Sequence, residues 1–318
     1  MSATSISILI PTHNRGAMLD RTLESLAGVR VPVGMDVEVV VVANACKDDT
    51  AARVRTRAGS MPFAMRCEEE PTVGLGSARN ACVRAARHSV CALLDDDVRV
   101  DAGWLEALAG MYADPAVSMV AGRVSLWWEA VARPAWLTPL QEMALSSIDL
   151  GERAVEMRTP DAVGANFSFR REVFEAVGPF RTDLDRVGGQ LLGGGETCFI
   201  REALKRGFRL WYSPAARVEH WVAPHRIEAP YLAGVTFGSS YANVVMKERY
   251  GVLDAARSVG FGAARMGWFS VVGGWAAVMG NGPLRLHARV RRAAGRGQFL
   301  GAIARVRNGP LGPIGSGS

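Results

Sequence analysis

Short apolar runs alternate with amphipathic segments along the first 125 residues of the chain. The apolar runs are rich in β-branched residues and lie at residues 6–10, 37–42, 90–94 and 119–124. The segments between them repeat apolar positions at helical spacing and lie at residues 15–27, 48–58, 76–87 and 104–112. Nearly continuous apolar strands that alternate with helices form sheets buried on both faces. We therefore predict an α/β fold with a mostly parallel central sheet flanked by helices.

The rhythm changes after residue 125, which divides the predicted α/β domain into halves at residues 1–125 and 126–228. The second half opens on the Trp- and Pro-rich stretch LWWEAVARPAWLTPL and continues with a strand and a helix in VGANFSFRREVF. A Gly-rich loop, a helix that starts near Glu196 and a short strand follow. Because ligands of such folds bind at the carboxyl ends of the strands, the loops after the apolar runs are the first places to look for chemistry.

Residues 229–308 form a predicted C-terminal helical region, and residues 309–318 form a predicted disordered tail. Within the helical region, residues 266–280 are apolar but fewer than the roughly 20 that a membrane-spanning helix needs. The Arg-rich stretch RLHARVRRAAGRGQFLGAIARVR follows them. Two interpretations stay open: peripheral contact with a membrane surface, or a helical hairpin that packs on the α/β domain and exposes a solvated basic face.

Net charge and cysteine content indicate which class of partner the protein binds and in which cellular compartment it is located. The 318-residue chain has a net charge of +6 and a pI near 9.4, which favours an anionic partner such as a nucleotide or an anionic lipid. The first 225 residues contain no basic patch interleaved with aromatic residues, so nucleic acid is not an expected partner. The five cysteines are widely spaced, and the N-terminal apolar run meets Pro11 too early for a signal peptide. Both observations favour a cytoplasmic location.

The stretch LLDDDV places Asp95, Asp96 and Asp97 directly after an apolar run. Mg²⁺ is usually bound by one or two carboxylates together with substrate phosphates. Acids at this edge of a sheet therefore favour a site for a divalent cation and a diphosphate. The alternative is an acidic loop that leads into the helix at residue 104, with Asp101 as the N-cap.

Two further loops carry candidates for nucleotide binding. Asn44 ends another apolar run and can hydrogen-bond a nucleobase edge, whereas Asp48 in the same loop suits a helix cap. Arg79 follows Gly74 and Gly76 at the start of a predicted helix, a place where phosphate can bind. This glycine pattern lacks the full phosphate-loop signature, and Arg79 can instead pair with the acidic cluster.

Glu196 and His220 are the candidates in the second half. Glu196 follows three glycines and opens a helix, where the helix dipole favours a carboxylate and where a general base on a mobile loop is the alternative interpretation. His220 follows a strand-like apolar flank, so a metal ligand and a hydrogen-bonded core histidine are both open.

Six stretches in order resemble an inverting, GT-A-fold glycosyltransferase of family 2, of the kind that builds bacterial polysaccharides and glycoconjugates. They are ILIPTHNR, VVVVANACKDDT, GLGSARNACVRAA, LLDDDV, GANFSFRREVF and LLGGGETCFIREALKRGFRLWYSPAARVEH. The resemblance covers roughly residues 5–225. It implies that residues 1–125 bind the nucleotide sugar, that residues 126–228 hold the catalytic and acceptor half, and that the donor is a nucleotide-diphosphate sugar.

The resemblance also implies a role for each matching residue. The residues implied in nucleotide-sugar binding are Pro11, Thr12, Asn14, Asn44, Arg79, Asp95 and Asp96, with Asp96 near the ribose. Asp97 and His220 would hold Mg²⁺ or Mn²⁺ between the two phosphates. Glu196 falls at the position of the catalytic base, which would remove the proton of the acceptor hydroxyl in a single displacement.

The chain departs from the family pattern at Ala43 and at Gly195, where acids are usual. The nucleotide is therefore left open, and so is the acceptor, which can be a sugar, a lipid-linked sugar or a small molecule. Trp127, Trp128 and Trp136 are candidates to stack on an acceptor sugar, with core packing as the alternative.

Two other classes of function compete with this interpretation. A metal-dependent phosphotransferase or phosphatase can also carry acids after a strand, but Arg99 stands where such enzymes place a hydroxyl residue. A non-catalytic binding protein with the same fold is the second alternative.

Overall fold

The computed structural model describes residues 5–183, 191, 193–247 and 250–308; the predicted tail at 309–318 lies outside the described residues. The chain divides into two compact units. The first unit comprises Met1–Glu129, Ser146–Thr182 and Gly195–Trp221. The second unit comprises Ala130–Leu145, Asp183–Gly194 and Val222–Ser318.

A sheet of nine strands, counted over the described residues, forms the centre of the first unit. The strands are β1 (Ile6–Thr12), β2 (Val37–Asn44), β3 (Ala64–Glu70), β4 (Val90–Leu94), β5 (Val98–Val100), β6 (Met119–Trp127), β7 (Val155–Met157), β8 (Asn166–Arg170) and β9 (Leu210–Trp221). Their order is β3-β2-β1-β4-β8-β6-β9-β5, with β7 paired to β9. The sheet is parallel from β3 to β4 and between β6 and β9, whereas β8, β5 and β7 pair antiparallel.

Helices flank this sheet, which confirms the predicted α/β class. In the first unit they are α1 (Gly16–Ala27), α2 (Thr50–Ala58), α3 (Leu75–Ala85), α4 (Trp104–Tyr112), α6 (Arg171–Val177) and α7 (Gly195–Lys205). Every residue of β1, β2 and β4 is buried, as expected for strands covered on both faces. The sequence pattern did not predict β3, because this edge strand reads AMRCEEE and is largely exposed or half-buried.

One charged side chain, Glu38, is buried within β2 at the opposite end of the sheet from the acidic cluster. Its carboxylate accepts hydrogen bonds from Ser7 Oγ at 2.5 Å and from the backbone N–H of Arg87 at 2.6 Å. Arg66 Nη1 lies 2.5 Å from the other carboxylate oxygen. Burial disfavours the charge, but the hydrogen bonds from Arg66, Ser7 and Arg87 outweigh burial and lower the pKa of Glu38.

The second unit is mainly helical, as predicted for its C-terminal part. Its elements are α5 (Pro139–Met143), a 3₁₀ turn (Pro224–Ile227), α8 (Ala229–Val245), α9 (Val252–Val278) and α10 (Gly282–Asn308). Glycines let α10 approach its neighbours closely. A Cβ on Gly295 would lie 2.8 Å from the carbonyl oxygen of Gly262 in α9, and one on Gly297 would lie 2.3 Å from the carbonyl oxygen of Phe237 in α8. Small residues therefore form both seams of α10.

We expect Glu38→Gln to lower the free energy of unfolding at pH 7 by about 1–3 kcal/mol, since Arg66 loses its buried charged partner. The folded-state pKa of Glu38 is lowered, so the contribution of its charge is fully present above about pH 4.5. It is lost as the pH falls through the lower folded-state pKa. The difference between wild type and variant in urea unfolding should therefore shrink below that pH.

Glu69→Gln is the matched control. Glu69 lies on the neighbouring strand β3 and also pairs with an arginine, Arg55, but this pair is exposed at the surface. Its free energy of unfolding should change by less than about 0.5 kcal/mol. Equal losses for the two variants, or a Glu38→Gln loss that does not depend on pH, would contradict the stabilising role of the Glu38 charge.

Candidate active site

The acidic cluster lies where β1, β2 and β4 end side by side in parallel. Thr12, the last residue of β1, donates a hydrogen bond from Oγ1 to Asp96 Oδ2 at 2.7 Å. Thr22 of α1 donates to the backbone carbonyl of Asp96 at 2.8 Å and accepts from the N–H of Val98 at 3.2 Å. β1 and α1 therefore fix the turn that presents the acids.

Asp95, Asp97 and His220 form a group with the geometry of a cation site. One ligand atom from each lies within 4.8 Å of the other two. His220 Nε2 is 3.2 Å from Asp97 Oδ1 and 3.9 Å from Asp95 Oδ2. Antiparallel pairing of Val98 with His220 sets this register, and the N–H of Trp221 donates to the carbonyl of Asp97 at 2.9 Å. The sequence pattern had singled out all three side chains, and the structure brings them together.

Arg15 is a member of the cluster that sequence reasoning missed. Its guanidinium bonds Asp96 Oδ1 at 2.7 Å and Asp97 Oδ2 at 3.0 Å. Burial opposes its charge, but the carboxylates of Asp96 and Asp97 raise the pKa of Arg15. Burial raises the pKa of Asp96 to about 6; the Arg15 charge opposes this rise and the Asp97 charge adds to it. The sequence did contain a signal for this contact. Arg15 is a basic residue in the loop after an apolar run, and the parallel sheet places that loop beside the three acids.

Asn44 ends β2 at the same edge, and its amide is used within the protein. Nδ2 donates to the carbonyls of Glu70 at 3.1 Å and Thr72 at 2.7 Å, while Oδ1 accepts from the N–H of Gly74 at 2.9 Å. Asn44 therefore fixes the loop that leads into α3. The predicted contact with a nucleobase stays a prediction, although both amide protons already have acceptors.

The loops after β1 and β2 are joined around Asn14. Pro11 is buried within β1, whereas Asn14 is exposed and adopts a positive φ of 51°. Asn14 Oδ1 accepts a hydrogen bond from the N–H of Lys47 at 2.6 Å, and the N–H of Asn14 approaches Cys46 Sγ at 3.3 Å. In the second loop Asp48 Oδ1 accepts hydrogen bonds from the N–H and Oγ1 of Thr50, the first residue of α2. The N-cap position itself is occupied by Asp49, so Asp48 braces the start of the helix from one residue further out.

Arg79 and Glu196 form an ion pair next to the acidic cluster. Arg79 is buried, and its Nη1 lies 2.8 Å from Glu196 Oε1. Its Nη2 lies 3.7 Å from Asp95 Oδ1. The guanidinium thus links the first acid of the triplet to the carboxylate at the start of α7. A carboxylate held in this way can accept a proton from a hydroxyl that comes within hydrogen-bond reach.

Gly164, which precedes β8, makes room for this ion pair. A Cβ at residue 164 would lie 1.9 Å from Arg79 Nη2 and 3.0 Å from Glu196 Oε1. No side chain fits at that separation, so Arg79 requires glycine there. The quoted motif VGANFSFRREVF contains Gly164, but this close approach becomes visible only in three dimensions.

The three tryptophans proposed for acceptor stacking are divided between the two compact units. Trp127 and Trp128 belong to the first unit and Trp136 to the second, and all three are half-buried. The ring of Trp127 contacts the guanidinium groups of Arg21 at 4.3 Å and Arg99 at 4.7 Å. Stacking of a sugar on Trp127 would compete with these cation–π contacts. The acceptor role of the three tryptophans stays a prediction.

Residues 7–178 match the family model described as Glycosyl transferase family 2. A glucosyl-dolichyl phosphate glucuronosyltransferase of Haloferax volcanii is 29% identical over 254 residues, which cover 77% of this chain and 78% of that protein. A pre-mycofactocin glycosyltransferase of Mycobacterium tuberculosis is 29% identical over 226 residues, which cover 69% of this chain but only 43% of that protein.

Solved structures show the same fold. A mannosyltransferase from Pyrobaculum calidifontis, solved in complex with GDP-Man and Mn²⁺, aligns with a TM-score of 0.59 and 19% identity. The alignment covers 94% of this chain and 86% of that one. At this identity the likeness establishes the architecture of the chain and leaves its substrates open.

We expect Gly164→Ala to destabilise the protein by about 1–3 kcal/mol, because the new Cβ forces Arg79 out of its ion pair with Glu196. Thermal and urea unfolding measure the loss. Gly110→Ala in α4 is the matched control, since a Cβ there meets no atom within 4 Å and alanine is the better helix former. A Gly164→Ala variant as stable as Gly110→Ala would show that Arg79 does not need the space.

Proposed function

The chain belongs to glycosyl transferase family 2, and on that premise we propose that it inverts the anomeric configuration of a nucleotide-diphosphate sugar while transferring the sugar to an acceptor hydroxyl. The observation that carries this proposal is the convergence of Asp95, Asp97 and His220 at the carboxyl end of the parallel strands, beside the Arg79–Glu196 pair. A cation site and a base next to each other are what displacement of a diphosphate requires.

The donor atoms suit Mg²⁺ or Mn²⁺. Carboxylate oxygens are the preferred ligands of hard divalent cations, and Asp95, Asp97 and His220 would hold the ion. The burial of Asp97 and His220 supports this assignment, because a buried acid beside an imidazole lacks the hydration that an exposed acidic loop keeps. The bound cation would stabilise the negative charge that develops on the leaving diphosphate.

Glu196 is the proposed general base. Its carboxylate takes the proton of the acceptor hydroxyl while that oxygen forms a bond to the anomeric carbon. The bond from the anomeric carbon to the diphosphate oxygen breaks at the same time, and its electron pair leaves with the diphosphate. Arg79 orients the Glu196 carboxylate, so we assign Arg79 a positioning role instead of the nucleotide contact that the resemblance implied.

For the donor, we propose that the loops that follow β1 and β2 surround the nucleotide through Thr12, Asn14 and Asn44, with Pro11 shaping the first loop. Asp96 would approach the ribose only if its bonds to Thr12 and Arg15 rearrange, since both of its oxygens accept bonds.

For the acceptor, we propose a lipid-linked sugar in preference to a free sugar or a small molecule. The Haloferax relative, which aligns over most of both chains, is named for a glucosyl-dolichyl phosphate substrate. A cytoplasmic enzyme with peripheral contact to the membrane through its C-terminal helices would meet such an acceptor. No helix in the described part of the chain is both long and apolar enough to cross a bilayer.

We expect Glu196→Gln to lower the rate of sugar transfer by about 10²- to 10⁴-fold, because the amide cannot accept the proton. Release of the nucleoside diphosphate from a panel of nucleotide sugars with Mn²⁺ measures this rate, and calorimetry checks that donor binding persists. Glu202→Gln on the same helix is the control, since Glu202 pairs with Lys205 and Arg206 away from the cluster. Full activity in Glu196→Gln would remove the base assignment.

We expect Asp97→Asn to weaken binding of Mn²⁺ alone by more than about tenfold. Changing a residue that only supports a metal ligand already costs about this much affinity, so changing a ligand itself should cost more. Electron paramagnetic resonance of free Mn²⁺ measures the affinity, and circular dichroism checks the fold. Asp101→Asn is the control, because Asp101 lies outside the proposed site. It follows β5, and its carboxylate accepts a hydrogen bond from the N–H of Gly103 in the turn before α4. Equal Mn²⁺ affinity in both variants would rule out the proposed site.

A further inference from the structure

One face of α9 exposes large apolar side chains, most of them between Phe261 and Val278. From Phe261 onwards the stripe positions follow at intervals of seven, three, four and three residues, so they lie on one side of the helix. Phe261, Trp268 and Trp275 are 66%, 65% and 59% exposed. The other large members of the stripe are Leu253, Val271 and Val278, all of them exposed. In soluble proteins, clustered exposed apolar side chains of this size mark an interaction surface.

The neighbouring helix α10 exposes a stripe of the opposite character. Arg285, Arg289, Arg292 and Arg296 are spaced four, three and four residues apart and are all exposed. No acidic residue follows Asp254 in the sequence. The hairpin formed by α9 and α10 therefore carries positive charge that its own residues do not neutralise.

The two stripes belong to one compact hairpin. Gly262 of α9 and Gly295 of α10 face each other so closely that a Cβ on either would lie 2.8 Å from the carbonyl oxygen of the other. Ala288 of α10 would meet a Cβ on Gly273 at 3.4 Å. Small residues lie where the two helices approach most closely, and Phe269 of α9 contacts the ring of His287 in α10. Phe261, Trp268 and Trp275 are exposed instead.

We propose that the α9 stripe inserts into the interface of an anionic lipid bilayer while the α10 arginines bind lipid phosphates. Indole rings favour the boundary between headgroups and acyl chains, and arginines add attraction to anionic lipids. The helix lies along the surface, since neither α9 nor any other described helix is apolar enough to span a bilayer. This inference deepens the peripheral contact proposed above and does not depend on the catalytic assignments.

The charge of the hairpin favours a membrane over a second copy of the chain. Pairing two α9 stripes would bring together two hairpins that each contain one acid, Asp254, and an excess of arginines, and these positive charges would repel. An anionic bilayer supplies both an apolar phase for the stripe and the negative charge that the arginines lack.

Flotation of the full chain with lipid vesicles tests this proposal. The wild type should float with vesicles of phosphatidylglycerol and phosphatidylcholine in equal parts, and it should bind those of phosphatidylcholine alone at least tenfold more weakly. The variant Phe261→Ser/Trp268→Ser/Trp275→Ser should lose at least tenfold of its binding to the anionic vesicles. Arg285→Gln/Arg289→Gln/Arg292→Gln should lose a similar factor at low salt, with much less effect at high salt.

Val31→Ser/Val33→Ser removes exposed apolar side chains from a loop of the first unit and should float like the wild type. The serine variant of α9 should keep Mn²⁺ binding and transfer to a water-soluble acceptor, so loss of flotation is separable from loss of catalysis. Wild-type protein that stays unbound would overturn the proposal. So would light scattering that shows a dimer which the α9 serine variant converts to monomer without any change in flotation.

Discussion

The mutual repulsion of the carboxylates at Asp95–Asp97 is the constraint that organises the first unit. Asp96 and Asp97 are buried, so water cannot screen their charges and the protein must supply positive charge and hydrogen-bond donors. Arg15 bridges Asp96 and Asp97 from the loop after β1, while Arg79 approaches Asp95 from α3. His220 completes the ring from β9. Elements far apart in sequence are thus held to one edge of the sheet by the charge of three adjacent residues.

Arg79 extends this charge balance to Glu196. Its guanidinium sits between the first acid of the triplet and the carboxylate at the start of α7, and Gly164 supplies the space that the approach needs. The buried guanidinium of Arg79 therefore contacts two carboxylates, Asp95 and Glu196, for which we propose different roles. A change of charge at the cluster alters how strongly Arg79 is drawn towards Asp95, and hence how tightly it holds Glu196. The site is therefore a connected network, and the proposed cation and base residues are not independent of one another.

The parts of this arrangement that the sequence predicted share a local signature. β1, β2 and β4 are apolar throughout because both faces are covered, and their acidic or polar ends stand out against that background. The sequence pattern did not predict β3, because a strand at the edge of a sheet needs no continuous apolar run. The bond from Arg15 to Asp96 joins residues 81 positions apart. Such a contact leaves no trace in periodicity, and neither does the close approach at Gly164.

Helices α9 and α10 reverse the usual distribution of side-chain size, because the apolar residues that they bury are glycines and alanines. Gly262, Gly295 and Gly297 lie in the seams, whereas Trp268 and Trp275 face outwards. In water, burying the large apolar side chains would release more free energy than burying glycines. The proposed insertion of the α9 stripe into a bilayer interface would place these indole rings in an apolar phase, while the small residues let the helix backbones approach each other. The glycines at these positions therefore serve the close approach of α10 to α8 and α9, because any side chain there would meet backbone atoms of the neighbouring helix.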